Sequence, residues 1–180
     1  MRNSNSIKPF AKASIGSDKG SKRLPVDETI LKGEIVSFSF SKFVCKSFKS
    51  GEFNNMFFCV YDSLAFILLL IQKLTEFCKM NVFELKEGGK STRCHPVNGD
   101  SLDLLKKILI QHNFSKQFIE QQEFYELTIS RANCRFFGYF VNSVFYIVII
   151  DPHHLMYKNQ KFYSKNDIIT KSFDPWKEIN

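Results

Sequence analysis

No Cys-x-x-Cys pair, no Gly-x-x-x-x-Gly-Lys phosphate loop, no Gly-x-Ser-x-Gly elbow and no His-Glu-x-x-His helix occur in this chain. Those gaps argue against thioredoxin-type redox chemistry, P-loop nucleotide binding, α/β-hydrolase acyl transfer and zinc-protease chemistry. Gly88-Gly89-Lys90-Ser91 is too short to cradle a phosphate, and no kinase signature or internal repeat is present. Cys45, Cys59, Cys78, Cys94 and Cys134 are odd in number and widely spaced, so a reducing cytoplasm is the expected home. The start, MRNSNSIKPF, lacks the apolar core of a secretory signal. One run, Met56 to Ile71, resembles a membrane span, but it is shorter than the ~20 residues a bilayer requires and Asp62 interrupts it. It reads as a strand end followed by a buried helix, and no membrane association is expected. Cys94, His95, His153 and His154 are zinc-ligand types at spacings that match no zinc motif, and adjacent histidines on extended chain point apart, so no metal or cofactor is expected.

What is abundant is phenylalanine, 20 residues in 180, within a chain that is 44% hydrophobic. That suits one domain with an aromatic core and no disulfide staples. The net charge of +7 points to RNA or another polyanion, or to an acidic protein segment. Residues 1–30 hold Arg2, Lys8, Lys12, Lys19, Lys22 and Arg23 among serines and glycines, with too little apolar area to fold alone. They form either a solvated tail or an arm that orders on a polyanion; residues 31–180 form the globular domain.

Hydrophobic periodicity orders the elements. Residues 33–45 alternate as a half-buried strand with Val36, Phe38 and Phe40 on its apolar side. Asp62 or Ser63 caps a helix with Leu64, Ile67, Leu68, Ile71, Leu74 and Cys78 at helical spacing, and Phe66, Leu69 and Leu70 make its first half apolar all round. Residues 84–100, with Gly88-Gly89, Pro96 and Asn98-Gly99, read as a loop. A second helix turns Leu102, Leu105, Ile108 and Leu109 inward, and Ser115 caps a short third through Ile119. Trp176 is expected to pin the C-terminal end to the core.

Residues 123–131, 134–141 and 144–151 form an antiparallel meander whose second turn is Asn142-Ser143. An unbroken register pairs Val141 with Val144, Tyr139 with Tyr146, Phe137 with Val148 and Arg135 with Ile150. Tyr125, Leu127 and Ile129 join an apolar face, while Glu126, Arg135, Tyr139 and Tyr146 share a mixed face that offers a binding surface. The expected fold is α+β: an antiparallel sheet of about four strands with two to three helices packed on one face, and strand 33–45 parallel beside 144–151.

A strand, two helices and a meander whose middle strand begins with arginine resembles the RelE/ParE/HigB group of toxin-antitoxin ribonucleases. Tyr125-Glu126-Leu127-Thr128-Ile129-Ser130-Arg131, Arg135-Phe136-Phe137-Gly138-Tyr139 and Val144-Phe145-Tyr146-Ile147-Val148 carry the resemblance, which covers about a third of the chain. This chain is longer than such toxins, has a basic N-terminal segment and has a long loop between its helices. The resemblance implies a RelE-like fold and metal-independent RNA cleavage by the 2′-hydroxyl, in a toxin-antitoxin or phage-defence setting, with an antitoxin protein as partner. A non-catalytic nucleic-acid- or protein-binding module of a mobile element is the alternative.

Cleavage requires a base, cations for the phosphate and an acid for the leaving oxygen. Under the resemblance, Arg135 and Arg131 hold the phosphate, His153 or His154 acts as acid or base, and Tyr157 or Tyr146 stacks a base or donates a proton. His95 and Arg93 join if their loop folds over the sheet, and Glu126, Tyr139, Tyr146, Lys22 and Arg23 complete the binding candidates. Each has a structural reading too. Asp151-Pro152 can set His153 and His154 on an exposed corner, Arg135 can pair with Glu126 or Glu123, His95 can be ordinary extended loop, and Tyr139 with Tyr146 can be cross-strand packing.

Overall fold

The computed structural model describes residues 33–89, 92–130, 134–157 and 170–179. The basic tail, with Lys22 and Arg23, and also Arg131 lie outside the described residues. A mixed five-stranded sheet organises the rest, in the order β1 (Ser37–Ser39), β7 (Val144–Asp151), β6 (Arg135–Val141), β5 (Phe124–Thr128), β4 (His95–Pro96). Strands β4 to β7 are antiparallel, and β1 runs parallel to β7 through Ser37 opposite Val144. The parallel placement of the first strand agrees with the sequence; a purely antiparallel sheet does not. A small hairpin, β2 (Lys49–Ser50) and β3 (Phe53–Asn54), precedes the first helix.

Helices cover both faces of the sheet rather than one. On one side α1 (Val60–Phe77) and α2 (Val82–Glu87) bring Phe66, Leu70, Phe77 and Leu85 onto Leu127, Phe136, Phe145 and Ile147. On the other, α3 (Gly99–Gln111) and α4 (Lys116–Gln121) bring Leu105, Ile108, Leu109 and Ile119 onto Phe124, Phe137, Tyr139 and Val148. The mixed face is therefore mostly a second core. Tyr139 and Tyr146 stack at 5.2 Å and 7° between ring planes, with Phe118 edge-on to Tyr139 at 5.4 Å. Their packing role prevails, and Tyr139 is buried.

Helix α1 presents the opposite face from the one expected. Ser63, Phe66, Leu70 and Phe77 point inward, while Leu64, Ile67, Leu68 and Ile71 face outward. A helix apolar all round gives its period no means of choosing a side; the phenylalanine rings decide it, each worth about 1.5–3 kcal/mol when fully buried. Helix α2 interrupts the expected loop. The Asn81 side chain accepts from the Glu84 N–H at 2.9 Å while the Glu84 carboxylate accepts from the Asn81 N–H at 2.9 Å, a reciprocal cap. Helix α4 begins as read, with Ser115 accepting from the Phe118 N–H at 3.2 Å. The short α5 (Pro175–Glu178) lays Trp176 against Phe43 at 6.1 Å.

The β6–β7 hairpin turns at Asn142, whose φ is +54°, and keeps Val141 opposite Val144 and Tyr139 opposite Tyr146. Beyond Gly138 the register shifts. Phe137 pairs with Ile149, Phe136 with Ile150 and Arg135 with Asp151, leaving Val148 as the extra residue of a β-bulge. Val148 and Ile149 consequently both enter the α3–α4 core. Gly138 permits the close approach: a Cβ there would collide with the Tyr146 carbonyl oxygen and the Phe145 ring. The bulge replaces Ile150 by Asp151 as the partner of Arg135, and this shapes the polar end of the sheet.

Candidate functional site at the polar end of the sheet

Glu126 and Thr128 alternate onto the α3–α4 face of β5, Thr128 pairs with Arg135, and Arg135 pairs with Asp151. All four side chains are buried, Arg135 at 2% exposure. Burial of charge at this density requires compensation. Asp151 receives it from the chain that follows, accepting at Oδ1 from the N–H of His153 at 3.2 Å and of Leu155 at 2.9 Å, and at Oδ2 from Met156 at 2.8 Å. Burial still pushes its carboxyl up to about 6, against those bonds and the nearby Arg135 cation. Segment 151–157 is thereby wrapped around its own aspartate, which carries His154 and Tyr157 back over the sheet end.

Arg135 is held from the side: its Nη1 donates to the carbonyl oxygens of Cys134 at 3.0 Å and Ser130 at 3.2 Å. Its Nε, Glu126 Oε2 and Thr128 Oγ1 are buried without a hydrogen-bond partner among the described residues. Half-buried Arg93, His154 and Tyr157 lie close enough to act on this group electrostatically. The Tyr157 hydroxyl bonds the Glu126 carboxylate; burial and that bond hold the phenol well above its usual range. Burial also raises Glu126, opposed by the Tyr157 bond and by the Arg135, His95 and Arg93 charges. His154 is lowered by burial and by the Arg135 and Arg93 charges, and its ring lies 5.0 Å from that of Tyr157. Arg93 has φ of +44°, an uncommon conformation for a side chain of this size. Burial lowers the Arg135 guanidinium, the Glu126 charge raises it, and the Arg93 charge lowers it.

Five nominated residues thus converge, namely Arg135, Glu126, His154, Tyr157 and Arg93. His95 joins at the rim, exposed on edge strand β4 opposite Glu126, because the loop does fold against the sheet. His153 does not join. Its Nε2–H donates to the Met56 carbonyl at 2.6 Å, the ring packs edge-on to Phe57 at 6.1 Å, and burial lowers it to about 4. The expected exposed corner is therefore a buried one. Tyr139 and Tyr146 lie in the α3–α4 core. Asp151 and Thr128 were not singled out from the sequence. An aspartate ending the apolar run Val144–Ile150 was the readable signal for the first.

Among the described residues no group of three or more His, Cys, Asp or Glu side chains could hold a metal ion. Cys94 is turned into the core, with burial pushing its thiol up to about 12. No described helix is long and apolar enough to cross a membrane.

The model of a protein family described as Uncharacterised protein UU032 matches residues 36–180. The chain belongs to that family. The match contains the whole sheet and every residue of the polar cluster, and leaves out the basic tail. No curated protein and no solved structure matches the chain.

Proposed function

We propose that the polar end of the sheet binds RNA and cleaves it by attack of a 2′-hydroxyl on the adjacent phosphate, in the manner of the RelE-type ribonucleases that the meander resembles. The observation that supports this reading is the convergence of two mutually repelling guanidinium groups with His154, Tyr157 and three buried polar atoms that have no hydrogen-bond partner among the described residues. The Arg93 charge disfavours the Arg135 cation, and a phosphate bound at Arg93 offsets that penalty. In the reaction the base takes the 2′-hydroxyl proton, the 2′-oxygen bonds phosphorus, and the P–O5′ bond breaks as an acid protonates the leaving 5′-oxygen. His154, lowered, suits the base. Tyr157 and Glu126, both raised, suit the proton-donating side. Arg93 at the rim contacts the phosphate, and Arg135 below it positions Glu126 and compensates the charge.

The near-complete burial of Arg135 favours one second reading, a module that binds RNA or an acidic partner across the rim without cleaving it. Growth of a bacterial host on induced expression tests the proposal, comparing wild type with Glu126→Gln, His154→Ala and Tyr157→Phe. Arrest by wild type that any folded variant relieves supports cleavage. Absence of arrest from soluble wild-type protein, or arrest unchanged in all three variants, sinks it.

A further inference from the structure

Helix α1 carries a second apolar stripe that nothing in the described fold covers. Val60, Tyr61, Leu64, Ile67, Leu68 and Ile71 are each between 45 and 78% exposed, on the side away from Phe66, Leu70 and Phe77. Along the stripe Tyr61, Leu64, Leu68, Ile71, Thr75 and Cys78 follow steps of three, four, three, four and three residues. That alternation is the seam of a helix pair, in which each side chain inserts between residues of a facing helix of the same spacing.

We infer that α1 is the interface of a homodimer, with the stripe of one copy packed on the stripe of another. Three features select a second copy. The seam needs a partner with matching steps, and this chain itself supplies one. The charged residues of α1, Asp62, Lys73 and Glu76, lie off the stripe, so it offers no charge for an acidic or basic partner, or for lipid headgroups, to read. The six side chains expose on the order of 600 Å², rising toward 800 Å² with Phe58 at the head of the helix, within the roughly 600–1,000 Å² that each partner gives to a standard interface. Two-fold pairing centred near Leu68 buries the same patch on both copies and leaves the polar end of the sheet unused by the contact.

Sedimentation of the full chain at micromolar concentration tests the inference, comparing wild type with Leu64→Lys/Leu68→Lys and checking both by circular dichroism. The expected result is a wild-type mass of twice 21.0 kDa and a folded, monomeric variant. A monomeric wild type, or a dimer that persists in the folded variant, overturns it. So does a wild type that dimerises only after residues 1–32 are removed, because the tail is then the occupant, and so does a monomer that instead binds neutral vesicles through the stripe. Should the double variant fail to fold, oxidation of Leu68→Cys decides: a covalent dimer formed at least tenfold faster than in wild type supports the pairing, and no difference overturns it.

Discussion

Removing the imidazole of His153 is expected to change how stability responds to acid. Its Nε2–H is committed to the Met56 carbonyl and its ring is packed on Phe57, so the native state holds it neutral, with a pKa of about 4 against 6.5 ordinarily. Below pH 6.5 the unfolded chain takes up a proton that the native chain refuses until about pH 4. Stability from this residue is therefore intact above 6.5 and lost as pH falls toward 4. At 1.36 kcal/mol per unit the loss between pH 7 and about pH 4.5 is roughly 2–3 kcal/mol. Asp151 acts in the opposite direction: raised from 3.8 to about 6, it binds a proton in the native state first and adds stability as pH falls through 6. The wild-type acid response is the sum of both. His153→Gln keeps an amide donor for Met56 and removes only the titration. Urea unfolding of both proteins at pH 7 and pH 4.5 isolates the residue, since every other group contributes equally to each. Wild type should lose about 2–3 kcal/mol more than the variant across that interval. Equal losses would refute the neutral, buried histidine.

Gly138→Ala should destabilise by about 3 kcal/mol or more, because the added methyl meets the Tyr146 carbonyl oxygen, which cannot move without breaking the bulge; thermal unfolding reads it. Asn81→Ala removes the side-chain half of the α2 cap and should cost about 1 kcal/mol in urea unfolding. Asp151→Asn replaces one of the two carboxylate oxygens that accept from the N–H groups of residues 153–156 by a donor amide. It should cost about 3 kcal/mol and speed amide exchange at Leu155 and Met156, whereas unchanged exchange would mean that the carboxylate does not hold that segment.

Much of the architecture was legible because local chemistry left few alternatives. Asn142-Ser143 allows only a tight turn, and the Ser115 cap and the Leu105, Ile108, Leu109 spacing allow only one helical face. The crossover from β1 to β7 returns it parallel. The bulge was not legible, since Ile147-Val148-Ile149-Ile150 buries apolar side chains in either register and only the three-dimensional fit of Gly138 against Tyr146 distinguishes them. The second helical layer was hidden for a related reason. Tyr139 and Tyr146 read as equally suited to solvent or to a core, and α3 with α4 decided for the core. For the site, residue type nominated Glu126, Arg135, His154 and Tyr157, but which of two adjacent histidines faces the cluster depends on how Asp151 coils the following backbone. Helix α2 did have a readable signal, the Asn81 to Glu84 cap, which the glycines after it obscured.

The cleavage proposed for the polar end of the sheet depends on the 2′-hydroxyl of RNA. The most direct measurement incubates the purified chain with an RNA oligonucleotide and with the same sequence lacking 2′-hydroxyls, and analyses the new ends by mass. Cyclic phosphate and 5′-hydroxyl ends are expected from the RNA alone, abolished in folded Glu126→Gln and His154→Ala proteins. Intact RNA after incubation with folded wild type, or equal cutting of both oligonucleotides, would contradict the proposal.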